Sequence, residues 1–133
     1  MSVHNVETSC LSEISVELMP QDLLVVVGKI GSGKTSFLQS IMDETEKKKG
    51  THKVNGKIAY VEQKPFIFTG TISDNICFGL QYAECRFRKA IVAAQLESDV
   101  ESLPKGFKTV IGDRGAKINN SLRARISLAR ALY

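Results

Sequence analysis

Hydrophobic positions change their period along this chain, and each change marks an element. Leu11, Ile14, Val16 and Leu18 fall in partly alternating order, the two-residue repeat of a strand, so the start of the chain reads as a hairpin. Pro20-Gln21-Asp22 then turns the chain into Leu23-Leu24-Val25-Val26-Val27, an unbroken apolar run of the kind buried on both faces of a parallel sheet. Phe37, Leu38, Ile41 and Met42 return at helical spacing. With Lys47-Lys48-Lys49 suited to a last turn and Gly50 to a C-cap, this predicts a helix from about Lys34 to Lys49. Asn55-Gly56 marks a tight turn, and Ile58-Ala59-Tyr60-Val61 reads as a second strand that ends at Glu62-Gln63.

Beyond Lys64 the pattern becomes helical. Pro65 to Gly70 reads as a loop, and Thr71-Ile72-Ser73-Asp74 fits a capping box that opens a short helix. Phe87, Ala90, Ile91 and Ala94 repeat at the spacing of one buried helix face. Ser98 and Glu101 suit the cap of one more short helix, closed by Pro104 and Gly106, so residues 65–108 form a helical insertion. Thr109 to Gly115 is a polar, glycine-bounded loop. Leu122, Ile126, Ala129 and Leu132 then define a last helix, with Arg123, Arg125 and Arg130 mostly off its stripe.

The chemistry lies between the apolar run and the helix after it. Gly28-Lys29-Ile30-Gly31-Ser32-Gly33-Lys34-Thr35 fits GxxxxGK[ST] at every fixed position. Glycines without Cβ atoms let successive backbone N–H groups curl around phosphate oxygens, and the following helix adds the partial positive charge of its N-terminus. Gly28, Ile30, Gly31, Ser32, Gly33, Lys34 and Thr35 are therefore the candidate phosphate site, with Lys34 reaching the β- and γ-phosphates and the Thr35 hydroxyl ligating Mg²⁺. A glycine loop that merely turns the chain is the plainer reading, and the complete octet between strand-like and helix-like segments argues against it. Gln63, leaving a strand end, is well placed to face the phosphates.

Composition narrows the classes. A chain of 133 residues suits one domain with a core. The net charge of +4 comes largely from the lysine run, which reads as a solvated helix end rather than a nucleic-acid surface. Cys10, Cys77 and Cys85 form no CxxC and read as reduced cytosolic thiols, and His4 and His52 have no ligand-like neighbours, so no zinc site is expected. The longest apolar run falls far short of the roughly 18 residues needed to cross a membrane, and Met1 opens no signal-peptide pattern. The segment is thus expected to be neither secreted nor inserted in the membrane.

Together these motifs resemble the nucleotide-binding domain of ATP-binding cassette (ABC) transporters, most closely subfamily C, the multidrug-resistance-associated proteins. The carriers are the Walker A loop Gly28 to Thr35, the Q-loop run Ile58 to Ile72, and Asn75-Ile76-Cys77-Phe78-Gly79, which is similar to the first of that subfamily's two such domains. Leu103-Pro104 with Gly106, Ile111 to Gly115, and Arg125 to Tyr133 extend the likeness over nearly the whole chain. The resemblance implies an α/β P-loop NTPase core of ABC type with an antiparallel β start, a helical subdomain and an incomplete sheet. It assigns 1–64 and 109–133 to the core and signature helix, and 65–108 to the helical subdomain. It further implies ATP and Mg²⁺ as cofactors, and Gln63 as the residue that senses Mg²⁺ and the γ-phosphate, making Thr35 and Gln63 the metal-facing pair. The implied partners are a second nucleotide-binding domain and the transmembrane domains of the same transporter, at the cytoplasmic face of a membrane. Phe66 and Phe68 match an aromatic stretch near the coupling-helix contact, a position that core packing also explains. Asp113-Arg114-Gly115 falls on the family's GERG-like loop.

Departures from the pattern bear on activity. The LSGGQ signature falls on Ile118-Asn119-Asn120-Ser121-Leu122 and is badly degenerate, although Asn119 retains the chemistry of an N-cap. Side chains at Asn120 and Ser121 crowd the approach of a γ-phosphate, and Leu122 lacks the hydrogen-bonding amide of Gln. The family continues into Walker B, with its acidic residues, where this sequence reaches Tyr133. No catalytic residue is therefore expected within the segment, which reads as part of a longer protein and would expose a sheet edge alone. The base-stacking aromatic expected before Leu11 is replaced at best by His4, and Pro20-Gln21-Asp22 stands for the family's Pro-Gly-Glu turn. The expectation is a domain that binds ATP and completes its partner's site poorly. A non-hydrolytic regulatory or structural module of ABC type is the alternative, and an unrelated P-loop kinase or GTPase is disfavoured by the Q-loop wording.

Overall fold

The alternation at the start of the chain becomes a three-stranded antiparallel sheet. A computed structural model describes residues 1–7, 11–46, 49–113 and 116–133, divided into two compact units, Met1–Ile58 and Ala59–Tyr133. Cys10, Lys47, Lys48, Arg114, Gly115 and the His4 ring, each used in the sequence reading, lie outside the described residues. In the first unit β1 (Ser2–Glu7) is the central strand, flanked by β2 (Ile14–Glu17) and β3 (Lys49–Lys53). Val3 faces Val16 on one side and His52 on the other, and is 2% exposed. The expected hairpin is present.

The helix after the glycine loop, α1 (Lys34–Ile41), buries Phe37 and Ser40 and leaves Leu38 exposed, against the sequence reading of its face. It also stops well before Lys49. Asp43 takes a left-handed φ of 60°, its amide donates to the Ser40 carbonyl at 3.4 Å, and the Glu44 amide donates to the Gln39 carbonyl at 3.0 Å. This paired ending satisfies the last carbonyls and turns the chain out of the helix. Lys49 and Gly50 consequently enter β3, where the second edge of β1 offers a backbone ladder whose register shifts between His4 and Glu7. Gly50 is a strand residue rather than a C-cap.

The two apolar runs differ most from expectation. Neither Leu23–Val27 nor Ile58–Val61 forms a strand, and Leu23, Val25 and Val27 are 87%, 68% and 84% exposed. A strand exists only where its N–H and C=O groups meet a neighbour. In the first unit the only edges taken up among the described residues are those of β1, so the Leu23–Val27 run has composition for burial but no ladder to enter.

The dense core belongs to the second unit. Ile72, Ile76, Leu96, Ile111 and Ile126 are all fully buried there, contributed by α2 (Ile72–Cys77), β5 (Val110–Ile111), α5 (Asn120–Leu132) and the turn after α3 (Glu84–Ala93). The predicted capping box forms in both directions: the Asp74 amide donates to Thr71 Oγ1 at 3.0 Å, and the Thr71 amide donates to Asp74 Oδ2 at 2.9 Å. Helix α3 buries Phe87, Ala90 and Ile91 as its periodicity predicts. The short α4 (Glu97–Glu101) is capped at Leu96 without a side-chain bond, so Ser98 lies inside the helix rather than at its cap, and the buried Leu96 side chain fixes the start instead.

The stretch read as a polar loop contains β5, which pairs antiparallel with β4 (Gly70–Thr71). This pairing depends on Gly112: its φ is 101°, and a Cβ there would lie 2.7 Å from Thr69 Cα. The last helix follows its stripe through Leu122, Ile126 and Ala129, but Leu132 is 49% exposed. Tyr133 is buried in its place, because its hydroxyl meets the loop that leads into α3.

Candidate phosphate-binding site

Glycine conformation shapes the loop before α1. Gly31 and Gly33 sit at φ of 81° and 87°, the left-handed region open to residues without a Cβ. Gly33 is the N-cap of α1 and offers no side-chain bond to the first amides, so these donors remain directed at whatever lies before the helix. Gly28 is held by crowding: a Cβ there would lie 2.6 Å from Ser32 Oγ. The Ser32 amide donates to the Lys29 carbonyl at 3.2 Å, which tightens the turn. Ile30 projects fully into solvent.

Lys34 closes the loop. Its ammonium donates to the carbonyls of Gly28 at 2.9 Å and Lys29 at 2.8 Å, bridging the start of the loop from the first turn of the helix. Thr35 is exposed beside it. An uncapped helix N-terminus, two left-handed glycines and a bridging ammonium suit a polyphosphate, since amides and ammonium converge without a competing carboxylate. A cleft of about 410 Å³ adjoins this side of the first unit, lined by Val16, Leu24, Val26, Gly33, Lys34 and Phe37 among others. The residues present fit a nucleotide-bound metal better than a resident one: Thr35 supplies one hydroxyl, and the described residues contain no cluster of three His, Cys, Asp or Glu.

Gln63 belongs to the second unit. There it lines a cleft of about 320 Å³ with Lys64, Pro65, Asn120, Arg123 and Ala124, next to the first turn of α5. The degenerate stretch leads into that turn. Asn119 is the N-cap, its Oδ1 accepting from the Leu122 amide at 2.7 Å, as its residue type allowed. Ile118 packs on the core, Leu122 is 6% exposed within it, and Asn120 and Ser121 face outward.

The sequence reading used Asn75 as a family marker and placed Arg130 off the stripe of the last helix, without giving either residue a role. Asn75 is fully buried, and every hydrogen-bonding position of its amide is used: Nδ2 donates to the carbonyls of Phe68 and Thr71, both at 3.0 Å, while Oδ1 accepts from the Phe68 amide at 3.1 Å and from Arg130 at 3.3 Å. Arg130 also donates through Nε to the Asn75 carbonyl at 2.8 Å and lies 4.6 Å from the Phe78 ring centroid. Burial pulls the Arg130 pKa below its ordinary value, and nearby Glu62 opposes that shift. A polar Asn within the apolar pattern Ile72, Ile76, Cys77 was the available signal. Phe66 is 55% exposed and Phe68 partly buried, with ring centroids 6.5 Å apart.

Among the described residues no helix is long and apolar enough to cross a membrane. The family model described as ABC transporter matches residues 11–133. Over 127 residues the chain is 43% identical to ATP-binding cassette sub-family C member 4 of Homo sapiens and 42% identical to that of Mus musculus, in each case covering 96% of this chain and 10% of the relative. Over 123 residues it is 41% identical to multidrug resistance protein mrp-7 of Caenorhabditis elegans, covering 92% of this chain and 8% of the relative. The chain thus spans about a tenth of the length of these curated relatives. With the complete Walker A octet, the match implies the P-loop NTPase fold, and the chain belongs to the ABC transporter family as part of a subfamily C nucleotide-binding domain.

Proposed function

We propose that this chain is the ATP-gripping portion of an exporter, in which ATP binding and hydrolysis drive a substrate through transmembrane domains of the same protein. The observation that carries this reading is the bridge from Lys34 to the Gly28 and Lys29 carbonyls over a loop with left-handed Gly31 and Gly33. Amides from Ile30 to Thr35 would donate to phosphate oxygens, and Lys34 would exchange its carbonyl partners for the β- and γ-phosphates. Thr35, and Gln63 with it, would hold Mg²⁺, which neutralises phosphate charge when bound. Residues 65–108 act as the helical subdomain toward the membrane domains, with 1–64 and 109–133 as core and signature helix. The working partner is a second nucleotide-binding domain at the cytoplasmic face. No residue of the segment serves as the base for hydrolysis.

Calorimetric titration of the full-length protein with Mg-ATP tests this. Lys34→Ala should weaken binding about ten- to a hundredfold, the loss of a charged hydrogen bond. Unchanged affinity would remove Lys34 from the site.

One observation favours a second, non-hydrolytic reading: the Leu122 amide is taken by Asn119 and the Leu122 side chain is in the core, so α5 opens without the glycine amides of a signature. Restoring Leu-Ser-Gly-Gly-Gln at 118–122 should raise the ATPase turnover of the full-length protein if the degenerate stretch limits it. No gain would overturn that account.

A further inference from the structure

Asn75 and Arg130 join three segments of the second unit that the backbone ladders leave separate. Asn75 is on α2, Arg130 is on α5, and Phe68 belongs to the loop from Pro65 to Thr69. In the loop from Pro65 to Thr69, the Phe68 amide donates to Asn75 Oδ1 and the Phe68 carbonyl accepts from Asn75 Nδ2. The Asn75 amide is in turn oriented by Arg130, because the guanidinium fork spans the Asn75 carbonyl oxygen and Oδ1 together. The same Arg130 side chain lies over Phe78, whose φ of 46° is a left-handed conformation that a bulky residue adopts only when its surroundings hold it. Phe78 packs against Phe68 with ring centroids 5.9 Å apart and ring planes tilted by 53°, and that closes the circuit. Tyr60, Glu62, Phe66, Phe78, Ser127 and Arg130 line a cleft of about 210 Å³ at its outer side, where Phe66 and Phe78 remain half exposed.

We infer that Arg130, acting through Asn75, is a positioning residue that fixes the aromatic loop Pro65–Thr69 to helix α5, so that loop and helix move as one piece when nucleotide binds. The nucleotide part rests on the function proposed above; the mechanical part rests on the hydrogen bonds alone. A displacement at the first turn of α5 reaches the exposed Phe66 rim because α5 is continuous to Arg130 and every bond from there to Phe68 is direct. Lysine is a poor replacement for arginine here, since a point-like ammonium has neither the planar fork that meets the Asn75 carbonyl oxygen and Oδ1 from two nitrogens nor the flat face set over Phe78. Asparagine to aspartate separates the two halves: it keeps the oxygen facing Arg130 and removes the donors to the Phe68 and Thr71 carbonyls.

Amide hydrogen exchange on the full-length protein, with and without the non-hydrolysable analogue Mg-AMP-PNP, tests the joint. In the natural protein the analogue should shift exchange in segments 66–71 and 120–132 together. Without nucleotide, Arg130→Lys should speed exchange of 66–71 about tenfold, the loss of one charged hydrogen bond, with the α5 amides unchanged. With the analogue, α5 should still respond and the loop should not. Asn75→Asp should give the same separation, and it serves if Arg130→Lys fails to fold. Unchanged loop exchange in either folded variant, or a loop that still follows α5, overturns the proposal. If neither segment responds in the natural protein, or Lys34→Ala responds as the natural protein does, the nucleotide reading fails, and with it the moving part of this inference. The nucleotide-free exchange of 66–71 still decides whether Arg130 holds the loop.

Discussion

The Tyr133 hydroxyl ties the end of α5 to the entry of helix α3: it accepts a hydrogen bond from the Ala83 amide at 2.8 Å and donates to the Gln81 carbonyl at 2.6 Å. Ala83 is the N-cap residue and has no side-chain oxygen of its own. A residue fifty positions away therefore holds the entry to α3 by binding the N-cap amide, while the first-turn amides that a Ser or Asp cap would meet have no side-chain partner there. Arg86 covers the same ring at 4.2 Å from its centroid, so the ring is held on its face as well as at its tip.

Tyr133→Phe keeps the buried ring and removes both bonds. Leaving a partly buried amide and carbonyl without partners should cost about 1–3 kcal/mol. Urea unfolding monitored by circular dichroism would read this as a lower midpoint at unchanged slope. A midpoint equal to that of the natural protein would mean water replaces the hydroxyl fully.

Asn119→Ala removes the side-chain acceptor at the start of α5, and a stability loss of about 1 kcal/mol follows for a cap of this type. Asn119→Asp and Asn119→Ser, which keep an acceptor, should restore most of it. Exchange of the Leu122 amide is the local measurement, and it should speed up in the alanine variant alone.

The Asp74 carboxyl is held below its ordinary pKa of 3.8, first by the Thr71 side chain and then by the Thr71 backbone amide, with burial opposing only slightly. Because the folded pKa is lowered, the stabilisation is fully present above the unfolded value near 3.8 and is lost as pH falls through the folded value beneath it. Thermal unfolding of the natural protein and Asp74→Asn should differ above that window and converge below it. Asp74 is largely exposed, so the effect is small and shrinks with salt.

Local chemistry was legible in the sequence, and long-range pairing was not. The Thr71–Asp74 box, the Phe87–Ala90–Ile91 face and the Asn119 cap each depend on residues within one or two turns, and each appears as read. Leu23–Val27 was read as a buried strand on composition, yet composition does not say which segment will supply its hydrogen-bonding neighbour. The end of α1 was misplaced for a related reason. The lysines looked like a helix terminus, whereas Asp43 in the left-handed region ended the helix earlier and the free edge of β1 claimed the residues from Lys49. At the candidate site the octet indicated which residue types suit phosphate, while the Lys34 bridge and the Asn75–Arg130 contacts required atoms in space.

On the function proposed above, Lys34 would meet nucleotide with two of its three ammonium N–H groups already engaged. Where a phosphate oxygen replaces one of these carbonyls, the step would be an exchange of partners rather than a net gain of a bond. The heat released at the loop is then only the difference between two sets of similar contacts. Affinity there would draw mainly on the release of water and counterions ordered around a highly charged ligand, and a shift of the binding constant with ionic strength would reveal it sooner than a large binding enthalpy.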